Sequence, residues 1–243
     1  MKKKVVPYQN DRSSKKEQVT HMFDGISKQY DFLNRVISLG IDIKWRKRVV
    51  AMMKKDQPQR LMDIATGTGD LALALTDTGA SEIIGLDISP GMLEVGKQKV
   101  NAAALEKTIQ MVIGDSENLD YPDDYFDGIT VAFGVRNFEH LEKGLGEILR
   151  VLKPKGRLIV LETAVPTKFP FKQGYQLYSK TILPLMGRLF TKDQAAYQYL
   201  SDSAAVFPHG KAFNNILAKI GFIEVSNHPQ TLGVASIYSA KKP

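Results

Sequence analysis

Gly67 and Gly69 stand between two different kinds of sequence. Before them runs the apolar Arg60-Leu61-Met62-Asp63-Ile64-Ala65, and after them the helical Leu71-Ala72-Leu73-Ala74-Leu75. Asp63 lies inside the first run, Asp70 directly follows the glycines, Asp87 lies 20 residues beyond Gly67 at the end of a second apolar run, and Asp115 follows a third. A glycine loop that leaves a strand and opens a helix lets backbone approach a ligand at the carboxyl edge of a sheet. Gly67-x-Gly69-x-x-Ala72 fits the dinucleotide fingerprint with alanine third, although alone it reads as well as a turn joining strand to helix. The carboxylates separate the candidate ligands. A pyrophosphate wants bare N–H groups and a positive helix end, and Asp63 and Asp70 at that mouth would repel it. They suit a ligand with an ammonium and a sulfonium.

S-adenosylmethionine carries both groups, and the later residues have roles to offer it. Asp87 can accept both ribose hydroxyls, because an ionised carboxylate has two acceptor oxygens. Met92 sits where an apolar side chain covers the adenine face, and Gly114-Asp115-Ser116 offers a carboxylate and backbone groups to the adenine edge. Asp115 taken alone reads equally as a turn residue.

These residues need elements to hold them. Strands are expected at Arg60–Ala65, Ser81–Asp87, Ile109–Ile113, Gly128–Phe133 and Arg157–Leu161, alternating with helices, one of them at about Glu139–Leu152. That alternation predicts an α/β fold with a doubly wound, Rossmann-like, seven-stranded and mostly parallel sheet. Ser89-Pro90 supplies a cap and a first-turn proline for the helix after the second strand. A helix over Ala212–Ile220 stops at Gly221, and Phe222–Val225 and Ala235–Ser239 follow with no helix between them, an antiparallel C-terminal hairpin. Ahead of the sheet, Ser14 and Glu17 have capping-box spacing, with Val19, Met22, Phe23, Ile26 and Tyr30 at helical intervals behind them. A second helix runs through Trp45 to Met53. Residues 1–58 are read as a basic helical cap and 59–243 as the main domain, with 163–208 a helical insertion. That insertion holds eight of the 21 aromatics in 46 residues and only seven charged side chains.

Three segments resemble one family. They are Val19 to Arg46, with Met22-Phe23-Asp24, Tyr30-Asp31-Phe32-Leu33-Asn34, Ser38 and Trp45; Phe133-Gly134-Val135-Arg136-Asn137; and Arg150-Val151-Leu152-Lys153-Pro154 through Glu162. With the glycine motif Asp63 to Asp70, which resembles that of class I S-adenosylmethionine-dependent methyltransferases, they resemble the menaquinone/ubiquinone biosynthesis C-methyltransferases, the MenG/UbiE family. The chain departs from the family pattern at Leu33, Asp42, Lys155 and Ala164, so no acid–base role is built on Asp42.

The resemblance implies methylation of a ring carbon on a polyprenylated hydroquinone. Demethylmenaquinol would become menaquinol with release of S-adenosylhomocysteine, and 2-methoxy-6-polyprenyl-benzoquinol is the alternative acceptor. Its cofactor contacts fall on Thr68, Asp87, Asp115 and Ser116, with Gly67 and Gly69 supplying the loop. Asp63 and Met92 complete the expected cofactor set. Such chemistry needs a group that stabilises phenolate character. Arg136 has that role as one reading and a structural ion pair as the other. Tyr30, Asn34 and Asn137 are the expected substrate contacts. No metal is expected, since His21, His140, His209 and His228 form no ligand spacing.

Composition narrows the remaining classes. Hydrophobic residues make up 43% of the 243 and charged residues 24%, the balance of a globular chain with material for a core. There are no cysteines, which removes disulfides and thiol chemistry. No apolar run approaches the ~20 residues of a membrane span, and no apolar region follows the basic start, so a cytoplasmic chain is expected. Residues 1–60 hold 15 basic and 6 acidic side chains, against 18 and 20 in the rest. That basic segment is read as a solvated terminus or as a transient contact with the inner face of an anionic membrane. Nothing supports nucleic-acid binding, and a homodimer stays open. The alternatives are a methyltransferase for another lipid or small acceptor, a non-enzymatic S-adenosylmethionine or lipid-binding module, and, last, an NAD-dependent dehydrogenase.

Overall fold

The computed structural model describes residues 5–166, 169–170, 172–174, 181 and 194–243. Most of the aromatic insertion expected over 163–208 therefore lies outside the described residues. The chain opens with two helices, α1 (Lys15–Ser38) and α2 (Ile41–Met53). Then come β1 (Arg60–Ile64), α3 (Asp70–Leu75), β2 (Glu82–Asp87), α4 (Pro90–Ala102), β3 (Ile109–Ile113), β4 (Phe126–Ala132), α5 (Leu141–Val151) and β5 (Leu152–Thr163). It closes with α6 (Gln194–Val206), α7 (Lys211–Ile220), β6 (Ile223–Gln230) and β7 (Ala235–Lys241).

The seven strands form one sheet in the order β3-β2-β1-β4-β5-β7-β6. The first five are parallel, and β7 enters antiparallel between β5 and β6. Alternation along each strand builds two apolar layers. Met62 and Ile64 face α5 and α7, packing with Leu145, Ile148, Phe213 and Leu217. Leu61 faces the other way, toward Trp45, Val49 and Met53 of α2 and Leu71 and Leu75 of α3. α2 is thus one layer of the sandwich.

The expected local signals operate as read. Ser14 and Glu17 form a reciprocal capping box at the start of α1, and Ser89 Oγ accepts the Met92 N–H at the start of α4. Two strands run past their expected ends. The β5 strand starts at Leu152, across an irregular pairing between Phe126 and Gly128, and β6 continues to Gln230. Lys155, where the family pattern has glycine, sits at φ 66°, a left-handed conformation that costs a side-chain-bearing residue ~1–2 kcal/mol.

The sheet order reverses direction between β1 and β4, which opens a crevice at their carboxyl ends. Both strands end in a left-handed residue, Ala65 at φ 52° and Phe133 at φ 58°, so the two chains turn apart above the sheet. Gly134 sits where they pass closest, since a Cβ there would stand 2.4 Å from the Ala65 Cβ. Over this edge lies α1, between α4 and α6, with Val19, Met22 and Ile26 buried against Met92, Ala196 and Tyr199. Each such side chain contributes ~1.5–3 kcal/mol of burial, enough to hold the helix across the crevice mouth.

Candidate active site

Beneath α1 the crevice is an open cleft at the carboxyl edge of the sheet. Its lining includes Gly67 from the glycine loop, Asp87 from the end of β2, Met92 from α4 and Asp115 and Ser116 after β3. Tyr30 of α1 and Asn137 beyond β4 close it on the other side, with Phe23, Phe133 and Phe138 supplying apolar wall.

Asp87 is the hub. Its Oδ2 accepts the Gly67 N–H at 2.8 Å, and its Oδ1 accepts the Ser89 N–H at 2.9 Å. These two bonds fix the carboxylate while leaving a lone pair on each oxygen, because a carboxylate has about four acceptor sites. Desolvation pushes its pKa up, with Asp24 adding to the rise, against the lowering effect of the backbone N–H groups. A pair of adjacent hydroxyls would meet both free sites. Gly67, at φ 58°, keeps the loop close against that position. Asp115 Oδ1 accepts the Glu117 N–H at 2.9 Å, while Oδ2 is held by Lys16 Nζ at 2.5 Å.

The rest of the loop turns away from the cleft. The Thr68 hydroxyl donates to Asp31 Oδ1 at 2.5 Å and accepts from Lys99 at 3.1 Å. The Cα of Gly69 faces Met111 and Gly96. Asp63 is buried, taking the Thr66 hydroxyl at 2.7 Å on one oxygen and the Thr130 hydroxyl at 2.7 Å on the other. Burial pushes its pKa to about 6 against the pull of those hydroxyls and of Arg46. None of these three residues lines the cleft. Their side chains or backbone hold the loop from behind, where direct contact was expected.

Asp70 corrects one step of the sequence argument. Lys99 Nζ stands 2.7 Å from it, Arg35 3.0 Å and Arg46 3.6 Å. Despite burial, these cations hold its carboxyl below the usual range. A carboxylate so neutralised does not repel phosphate, so Asp70 cannot distinguish the ligands. Asp42 belongs to the same network, buried against Arg35, Arg46 and Ser38.

The profile of the ubiE/COQ5 methyltransferase family matches residues 11–242. The chain belongs to this family. It is 45% identical to the demethylmenaquinone methyltransferase of Bacteroides fragilis, over 98% of both chains. It is 43% identical to the ubiquinone/menaquinone biosynthesis C-methyltransferase UbiE of Geotalea daltonii, over 95% of this chain and 98% of that one. Among solved structures, a possible histamine N-methyltransferase of Thermotoga maritima matches with TM-score 0.60 at 17% identity, over 92% of this chain and 99% of that one, a likeness of fold. This ubiE/COQ5 family chain is an S-adenosylmethionine-dependent methyltransferase on the class I fold.

In this methyltransferase α1 carries a polar face absent from the expected site set. Lys16 holds Asp115, Asp24 Oδ1 accepts from Ser89 Oγ and the Gly91 N–H at 2.6 and 2.8 Å, Asp31 holds Thr68, and Arg35 holds Asp70. The spacing 16, 24, 31, 35 is a single helix stripe, which an eye on apolar periodicity passes over. Glu117 was also missed. It is buried, accepts the N–H groups of Glu139 and His140, and meets His140 Nδ1 at 2.9 Å.

Next to Asn137, outside the lining of the cleft, lies Arg136. Its Nη1 donates to the Phe133 carbonyl at 2.7 Å and to Glu162 Oε1 at 2.5 Å, with both side chains buried. Tyr30 and Tyr199 lie near enough to act on its charge. Desolvation pushes the Tyr30 phenol up, and the Tyr199 phenol up to about 12, so both stay protonated near neutrality. The Tyr199 hydroxyl donates to Asn137 Oδ1 at 3.1 Å. Asn34 lies beside the Tyr30 phenol and pulls its pKa down against burial. Behind Arg136 opens a second groove with apolar lining from Val5, Val135, Leu141, Val206 and Phe207. Arg136 lines that groove, and Phe138 lines both.

Proposed function

We propose that this enzyme transfers the methyl group of S-adenosylmethionine to a ring carbon of demethylmenaquinol, giving menaquinol and S-adenosylhomocysteine. Support comes from near full-length likeness to proteins named for that reaction. The observation on this chain that carries the reading is the position of Arg136, a buried cation that follows the cleft-lining Gly134 and precedes the cleft-lining Asn137, and itself borders a groove with Val5, Val135, Leu141, Val206 and Phe207 among its walls and Lys15 and Glu139 beside them. A ring hydroxyl at Arg136 has its tail directed into that groove, where burying isoprenoid surface is worth ~25 cal/mol per Å².

Bound S-adenosylmethionine supplies a methyl already activated by its sulfonium. Asp87 binds the ribose hydroxyls, Met92 covers the adenine and Asp115 with Ser116 meets its edge, while Gly67 gives close backbone approach. Asp63, Thr68 and Gly69 hold the loop in shape. Tyr30, Asn34 and Asn137 orient the acceptor ring, and alignment of its carbon with the S–CH3 bond is a large part of catalysis. Arg136 stabilises the oxygen as negative charge gathers there. Labelled methyl transfer to chemically reduced demethylmenaquinol, with 2-methoxy-6-polyprenyl-benzoquinol alongside, tests the reading. Faster labelling of the naphthoquinol is expected. Labelling of the benzoquinol alone moves the enzyme to the ubiquinone branch.

A polyprenyl acceptor resides in lipid, and no described helix is long and apolar enough to cross a membrane. On this reading the enzyme meets its acceptor at the membrane surface. Phe32, Leu39 and Ile43 are exposed at the turn between α1 and α2, beside exposed Lys44, Lys47 and Arg48. Binding to anionic vesicles that weakens with salt is expected. Equal binding to neutral vesicles contradicts it.

A further inference from the structure

One buried ion pair leaves two hydrogen-bonding positions unfilled. Glu162, at the end of β5, is fully buried. Its Oε1 is crowded, accepting from Arg136 Nη1 at 2.5 Å, from the Thr163 N–H at 2.8 Å and from the Thr163 hydroxyl at 3.1 Å. Its Oε2 and the Nε of Arg136 have no hydrogen-bond partner among the described residues. Two other arginine pairs of the chain are built differently. Arg150 meets both oxygens of Glu147, each at 2.8 Å, and Arg157 likewise grips both oxygens of Asp56. Bidentate contact of that kind is what a stabilising arginine–carboxylate pair achieves. A buried carboxylate oxygen left bare is costly, and such an atom at a functional site calls for a partner that arrives later.

The surroundings say what that partner is. The pair lies at the carboxyl ends of β4 and β5, and Arg136 borders the groove while Asn137 borders the cleft. The other polar side chains near it are the Thr163 hydroxyl, the Asn137 amide and the Tyr30 and Tyr199 phenols; an aliphatic hydroxyl and an amide are no bases, and the phenols hold their protons too tightly to remove one from an acceptor near neutrality. Arginine cannot act as a base either. We propose that Glu162 Oε2 takes the hydroxyl proton of the quinol during methyl transfer, an assignment that rests on the functional reading above.

The step balances as follows. The O–H bond adjacent to the reacting carbon breaks and its proton passes to Glu162, while the oxygen's electrons move into the ring. The ring carbon forms its bond to the methyl as the S–CH3 bond breaks, and sulfur keeps that electron pair. The acceptor is then a methylated keto tautomer. Its ring proton leaves to water, Glu162 returns the proton to the carbonyl oxygen, and aromaticity is restored. One proton is released overall, and Glu162 ends as it began.

Acceptor acidity tests the assignment. Single-turnover methylation is measured for wild type and Glu162→Gln with a reduced demethylmenaquinone analogue, and with the same analogue bearing a ring fluorine that acidifies its hydroxyl. Glu162→Gln is expected to lose about 10²–10⁴-fold in rate with the ordinary acceptor. Its deficit relative to wild type should shrink by about tenfold or more with the acidified one, as general-base catalysis requires. Glu162→Asp keeps the charge beside Arg136 and serves should the glutamine variant not fold, with the same narrowing expected. A purely structural role lowers both acceptors equally. An equal deficit for the two acceptors, or none, overturns the assignment. Failure of the wild type to methylate either acceptor overturns the functional reading instead.

Discussion

Replacing Arg136 by glutamine is expected to lower methyl transfer by about 10²–10³-fold, the usual cost of losing one donor aimed at developing negative charge. Affinity for S-adenosylhomocysteine should stay within a few-fold, because no atom of the ribose or adenine end of the site rests on Arg136. Lysine preserves the charge but not the planar guanidinium whose Nη1 serves both the Phe133 carbonyl and Glu162, so Arg136→Lys should recover only part of the loss. Stability falls as well. Glu162 is left buried without its cation, a change that costs about 3–5 kcal/mol when one partner of a buried pair is removed.

The competing explanation, a structural ion pair, makes a separable forecast. The double variant Arg136→Gln with Glu162→Gln removes both charges together, and stability should return toward the wild-type level. If the pair is only structural, turnover per folded molecule returns with it. If Arg136 stabilises the developing charge, turnover stays low. Near-normal rates in Arg136→Gln, measured with cofactor binding intact, would sink the role given to Arg136.

Asp87→Ala should raise the Kd for S-adenosylhomocysteine by about 10²–10⁴-fold, measured by calorimetry. Two hydrogen bonds to a charged acceptor are lost, each contributing about 1.5–3 kcal/mol. The same change frees the Gly67 and Ser89 N–H groups that Asp87 now holds, so the loop and the start of α4 lose their common anchor. Asp87→Asn keeps one acceptor oxygen and should cost less. A change below about fivefold in the alanine variant would remove Asp87 from the centre of the cofactor site, since that is less than one such bond.

The strands were legible where the sequence signals are local. Short apolar runs ended by glycine or aspartate marked β1 and β2 nearly to the residue, and Ser89-Pro90 marked the start of α4. The extent of β5 and β6 was less so. Lys153-Pro154-Lys155-Gly156 reads as a turn, and only pairing with β4 and β7 carries the strand through it. Neighbouring strands decided that, and a single strand's sequence does not contain them.

The site divides in the same way. Asp87, at the end of β2, and Gly67, in the loop after β1, line the cleft. Thr68 and Gly69 do not, because the loop continues its turn beneath α1 and α4, where Asp31 and Lys99 wait for the threonine hydroxyl. Asp70 shows how a charge argument fails without partners. Its three cations come from α1, α2 and α4, up to 35 residues away in sequence. Glu162 was hidden for a related reason. It follows the apolar run Leu158–Leu161, and its importance emerges only when Arg136 is found 26 residues earlier and in contact.

The central claim is that a carbon of a reduced quinone ring receives the methyl group. It is tested most directly by a single turnover with methyl-labelled S-adenosylmethionine and demethylmenaquinone, run once with the quinone chemically reduced and once oxidised. The account predicts label on a ring carbon of the reduced acceptor and none on the oxidised one, which has no hydroxyl to lend electrons to the ring. Label on an oxygen, or no transfer to the quinol by protein that binds S-adenosylhomocysteine, would contradict it.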